Sequence, residues 1–207
     1  MLGALRQLFI PKPPEEAKAT YIALVKAARN PFFYTTLQVP DTLDGRFEVI
    51  VLHLFLLQKR LLEGGLTPPS LQAQLTPAAS GSRAALRKNN VPPENAVFAQ
   101  FVSEAFFNDM DRSLRELGVA DTGVSHRIKK MGKAYNGRLQ AYTAGLTDPV
   151  VMRGAFARNM YGTVEQGDIA LLDKFTHFTL AMTDQLAMTD AVTLTSGQYE
   201  WPDAAAL

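Results

Sequence analysis

VPDTLDGRFEVIVLHLFLLQKRLL, from Val39 to Leu62, decides the fold. Asp41 and Thr42 offer side-chain oxygens for a helix N-cap, and Gly64-Gly65 supplies a left-handed stop beyond the last leucine. Leu43, Phe47, Ile50, Leu54, Leu57 and Leu61 recur at steps of four and three, one stripe of an α-helix. Val49, Val51, Leu52, Phe55 and Leu56 fill the other faces of the same turns. A helix apolar all round must be covered all round, by other helices or by lipid. The run from Val49 to Leu57 contains His53 and falls well short of the ~20 residues a membrane span needs. The stretch therefore predicts a buried central helix, about residues 41–63, in an all-α domain of about six to eight helices.

Outward from that helix, the chain divides into an N-terminal arm (1–13), a helical domain (14–190) and a C-terminal tail (191–207). The arm, with Leu2, Leu5, Leu8 and Phe9, reads as a segment packed on the domain. The sharper alternative is an interfacial foot, residues 2–10 against a membrane surface. Pro14, Glu15 and Glu16 open the first helix of the domain, with Tyr21, Leu24, Val25 and Ala28 as its buried face and Pro31 ending it. PFFYTTLQVP then reads as an aromatic-rich loop. Residues 64–92 mix Pro, Gly, Ser and Thr with little periodicity and predict a long connector, with one short helix around Ser82 to Lys88.

A second long helix starts at Pro92-Pro93-Glu94 and is stopped by Gly118, with Phe98, Phe101, Val102, Ala105, Phe106, Met110, Leu114 and Leu117 apolar. Its last turns place Asp109 with Arg112, Asp111 with Arg115 and Arg112 with Glu116 at pairing distance. A third follows after a short turn, as an antiparallel neighbour, with Val124, Ile128, Met131, Tyr135, Leu139 and Tyr142 inward. Its outer face is basic: His126, Arg127, Lys129, Lys130, Lys133 and Arg138. Asp148-Pro149 caps another helix, ended by Gly162. A last one, roughly Glu165 to Thr189, turns Leu171, Phe175, Phe178, Met182 and Leu186 inward. From Ala191 the periodicity dissolves, and Trp201 reads as a tack holding the tail to the body.

Composition excludes several classes of function. At 207 residues and a net charge of +1, the whole molecule has no general attraction to nucleic acid or acidic lipid. The absence of cysteine removes disulfides, thiol nucleophiles and thiolate metal sites. No phosphate-binding glycine loop, nucleophile elbow or paired-histidine zinc motif is present, and no Glu stands three residues before any of His53, His126 and His177. Asp109 and Asp111 diverge on a helix and each has an Arg partner, so ion pairing explains them better than a metal. His53 reads as a core histidine. The basic face carries no interleaved aromatic platform, so no specific nucleic acid is expected there. Neither a cofactor nor a catalytic residue is expected.

Two blocks carry a resemblance. PFFYTTLQVPDTLDGRFEVIVLHLFLLQKRL (Pro31 to Leu61) and FFNDMDRSLRELGVADTGVSHRIKKMGKAYNGRLQAY (Phe106 to Tyr142) strongly resemble the ubiquinol–cytochrome c chaperone family, bacterial relatives of the mitochondrial assembly factor Cbp3. Ala120 stands where the family usually has Gly, and Gln38 precedes the VPDT run where Gly is frequent. The resemblance implies a helical, non-catalytic chaperone that binds newly made cytochrome b and supports assembly of the cytochrome bc1 complex. It also implies a place in the bacterial cytoplasm or at the inner-membrane surface, with a small partner protein and the ribosome as further partners.

A very hydrophobic client needs an adaptable apolar groove, and Phe and Met side chains suit it. The candidate client-binding set is Phe32, Phe33 and Tyr34 beside Phe106, Phe107 and Met110, with Arg46 and Glu48 orienting that loop or pairing with the turn at Asp109 and Asp111. Core packing is the competing explanation for these aromatics. The competing class of function is a helical module binding a lipid or quinone in a pocket around His53 and Tyr135.

Overall fold

The computed structural model describes residues 13–62, 93–162 and 168–206. The arm's apolar residues, the 64–92 connector and its short helix lie outside the described residues. The elements in chain order are α1 (Glu15–Ala28), α2 (Phe32–Thr35), α3 (Leu43–Leu62), α4 (Pro93–Glu116), α5 (Asp121–Gly145), α6 (Pro149–Asn159), α7 (Ile169–Met188), α8 (Ala191–Thr195) and a closing 3-10 turn (Ala204–Ala206). No strand occurs among the described residues.

The central helix is α3. Thr42 Oγ1 accepts from Gly45 N at 3.1 Å, the cap expected from the sequence. From Phe47 to Leu57 every residue is buried, because α1, α4, α5, α7 and α8 all pack on it. Burial of this whole girdle is the main stabilising term of the domain. Both ends of α3 are tied down. Gly45 approaches the chain so closely that a Cβ there would lie 1.9 Å from the Pro40 carbonyl oxygen. At the other end, Asn95 Nδ2 donates to Leu61 O at 3.0 Å, and Arg60 Nη2 donates to Thr189 O at 2.8 Å beyond the last turn of α7.

The stripes on the other long helices fall where their spacing puts them. On α1, Tyr21, Leu24, Val25 and Ala28 are buried. On α5, Val124, Tyr135 and Tyr142 are buried, with Ile128, Met131 and Leu139 packed beside them. On α7 the inward residue of the first turn is Leu172 and not Leu171, since the helix begins at Ile169, capped by Asp168, four residues later than the spacing suggested. Leu117, placed on the α4 stripe, is 65 % exposed because it lies past the end of the helix.

Two stretches read as irregular are ordered. Residues 32–35 form one helical turn, started by Asn30 Oδ1 accepting from Phe32 N at 2.9 Å. Residues 191–195 form α8, capped by Asp190 and packed on α1 and α3. Trp201 then lies against His53, ring centroids 5.1 Å apart.

Candidate functional site

Burial decides which of the sequence-predicted residues can meet a partner. Phe33 and Phe106 are wholly buried and Met110 nearly so, so they are corrected here from groove residues to core residues. Phe33 is held by Phe175, Phe178 and His53, and Phe106 by Tyr21, Phe47 and Tyr135. Phe32, Tyr34 and Phe107 are half-buried. The two aromatic sets do not adjoin: no ring contact joins them among the described residues, since one backs onto α7 and the other onto α5. They do not make one groove. Arg46 pairs with Asp41 at 2.6 Å and stays exposed, while Asp109 accepts from Tyr21 Oη at 2.8 Å and pairs with Arg112. Neither Arg46 nor Glu48 reaches the Asp109–Asp111 turn, whose acids take the helical partners their spacing gave them, with Arg115 2.6 Å from Asp111.

The open apolar feature is a groove between α1 and α4 with a volume of about 880 Å³. Ala17, Tyr21, Val25, Phe101 and Ala105 form its floor, and Lys18, Lys26, Arg29, Glu104 and Arg112 its rim. Ile22, 57 % exposed, stands at its edge. Phe106 and Met110 sit on the neighbouring inward face of α4, beneath the floor. The sequence signal for this groove was Ile22 itself: it falls one residue off the buried stripe Tyr21–Leu24–Val25–Ala28, an isoleucine on an otherwise polar face.

A second cleft, of about 840 Å³, joins the two sequence blocks that carry the family resemblance. The first two turns of α3 contribute Leu43, Asp44, Phe47 and Glu48; α5 contributes Arg127, Lys130, Met131 and Arg138; α6 adds Arg158. Its inner wall is an ion pair between the buried Glu48 and the partly buried Arg138. Arg138 Nη2 and Nε donate to Glu48 Oε1 at 2.6 and 3.1 Å, and Nε also reaches Oε2 at 3.0 Å. Burial pushes the Glu48 carboxyl above its ordinary range, against the opposing pull of Arg138. Arg138 is thus corrected from the outer basic face to an interior partner. Its position three residues after Tyr135 and four before Tyr142 puts it beside the buried stripe. Arg127, Lys129, Lys130 and Lys133 are exposed.

His53 and Tyr135 do not share a pocket. His53 Nδ1 lies 2.8 Å from Val49 O inside an aromatic box, and burial lowers its pKa to about 4. Tyr135 meets Gln58 and Ser103 on another side of α3. None of the clefts of about 880, 770 and 840 Å³ is lined by both.

The fold is that of an all-α protein with two helix-walled grooves, one apolar and one lined by cations. The family is given by the sequence: the profile of the ubiquinol-cytochrome C chaperones matches residues 35–201, and the chain belongs to that family. Among solved structures, the Cbp3 homolog from Brucella abortus is similar, with 28% identity and a TM-score of 0.71 over 100% of this chain and 99% of that one. No curated protein matches the chain.

Proposed function

We propose that this chain is an assembly chaperone for cytochrome b, holding an apolar segment of that client in the α1–α4 groove and supporting formation of the cytochrome bc1 complex without catalysis. The observation that carries the reading is the open groove with Ile22 exposed at its edge, in a chain of the chaperone family. A groove of about 880 Å³ takes several apolar side chains of a client helix or extended segment. Its rim mixes Lys18, Lys26 and Arg29 with Glu104, so polar groups flanking such a segment find partners of either sign. Phe101 and Tyr21 provide a preformed floor, so binding orders few protein groups.

The reading moves the client site from the Phe32–Tyr34 turn to the outer side of α4. Phe106 and Phe107 both lie on the helix that walls the groove, and of the two only Phe107 is half-buried. The test is Ile22→Glu, a surface change expected to leave stability within about 0.5 kcal/mol. Cytochrome b recovered with the tagged protein from a detergent extract is expected to fall at least fivefold. Unchanged recovery with a folded variant overturns the groove assignment.

A further inference from the structure

Charge is divided unevenly over this molecule. The hairpin α5–α6, residues 121–159, carries seven Lys and Arg against Asp121 and Asp148, a net +5 in a chain whose total is +1. The remainder is therefore net negative. Elsewhere Arg46 is neutralised by Asp41, Arg112 by Asp109 and Glu116, and Arg115 by Asp111 and Asp121, while Lys18, Lys26 and Arg29 on α1 and at its C-cap stand unpaired among the described residues. On the hairpin only Arg138 and Arg153 have acidic partners, Glu48 and Asp173. Arg127, Lys129, Lys130, Lys133 and Arg158 make no ion pair among the described residues.

Their arrangement is directional. At 100° per residue, His126, Lys129, Lys130 and Lys133 fall within an arc of about 100° on α5, opposite Val124, Tyr135 and Tyr142, which are buried. The three lysines are exposed on that side of the helix. Arg127, one step round, turns with Lys130 and Arg158 into the adjoining cleft of about 840 Å³. The cations are thus spread over a helix face and the mouth of a hollow, not gathered in one groove.

We infer that this face docks the protein on an anionic phospholipid surface, the lysines of α5 lying along the headgroups and the cleft seating one headgroup phosphate between Arg127, Lys130 and Arg158. A planar array of phosphates meets all five cations together, and each Lys or Arg near such a surface adds to binding. Nucleic acid fits less well, because no aromatic side chain interleaves with the cations for base stacking. No described helix is long and apolar enough to cross a membrane, so contact of these residues with a bilayer is peripheral. The inference adds a location to the client reading, whose client is a membrane protein, yet rests on charge alone.

The experiment is vesicle flotation of the full-length protein, with no client present. Vesicles of phosphatidylcholine with about 30 % phosphatidylglycerol are compared with pure phosphatidylcholine, in low salt and in about 0.5 M salt. The protein is expected to float with the anionic vesicles alone and to be released by salt. Lys129→Gln/Lys130→Gln/Lys133→Gln is expected to lower partitioning roughly a hundredfold, while recovery of cytochrome b from detergent extract stays unchanged. Absence of wild-type binding, equal binding to both vesicles, or undiminished binding by the folded triple variant overturns the inference. So does binding to a single-stranded RNA oligomer without binding to the anionic vesicles. Loss of client recovery in Ile22→Glu with vesicle binding intact separates the two readings.

Discussion

The buried imidazole of His53 makes stability depend on pH in a defined window. Phe33 and Trp201 close on its ring, with centroids 5.3 and 5.1 Å away, and among the described residues no acidic side chain acts on it. Burial lowers its pKa to about 4 from the 6.5 of the unfolded chain. A lowered histidine pKa stabilises the native state fully above pH 6.5, and the contribution is lost as pH falls toward 4, because the unfolded chain takes up the proton first. At roughly 1.4 kcal/mol per pH unit, the loss over that window is about 3 kcal/mol. For a domain of this size that is a substantial fraction of total stability.

The assay is urea unfolding at pH steps between 6.5 and 4, followed by far-UV circular dichroism and by the fluorescence of Trp201, the only tryptophan. Other carboxylates titrate in the same range, so the comparison is with His53→Asn, which keeps a side-chain amide near Val49 O and removes the titrating ring. His53→Asn starts less stable at pH 7, but its stability falls by about 3 kcal/mol less than that of the wild type across the window. Parallel curves for the two proteins refute the assignment of a buried neutral His53.

Further predictions concern the walls of the basic cleft. Glu48→Ala leaves the Arg138 guanidinium without its partner in a partly buried site and is expected to cost about 2–3 kcal/mol, read by urea unfolding; Glu48→Ala/Arg138→Met, removing both charges, is expected to recover most of the loss. Gly45→Ala forces the Pro40 carbonyl away from the start of α3 and is expected to lower the melting temperature by several degrees, about 2 kcal/mol, although Ala is the better helix former at an open site.

How much of this was legible in the sequence depends on the range of the interaction. The central helix was legible because eleven consecutive buried residues, Phe47 to Leu57, include only Glu48 and His53 as polar members. The stripes of α1 and α5 were legible for the same local reason, as were the caps at Thr42 and Asp148. Gln38 adopts a φ of 54°, the left-handed region that glycine favours, and it stands where the family frequently has Gly. Ala120, by contrast, caps α5 with φ −61° and ψ 150°, an extended conformation any residue adopts, so the missing glycine there is harmless.

What was not legible depends on contacts distant in the chain. Phe33 is buried because α7 arrives over it about 140 residues later, and no local pattern distinguishes it from Phe32, which is half-buried. Glu48 and Arg138 are 90 residues apart. Either one alone reads as a surface charge, and only their meeting explains a glutamate in the middle of an apolar helix. The groove was not legible because clustered aromatics, the sequence's clearest apolar signal, here fill the core.

Site-specific photocrosslinking in cells, with the probe replacing Ile22, tests the client groove most directly. The account predicts a crosslink between that position and newly made cytochrome b, absent when the probe replaces Met188, an exposed residue at the end of α7. Equal crosslinking at Met188, or none at Ile22 while the tagged protein still recovers cytochrome b, contradicts it.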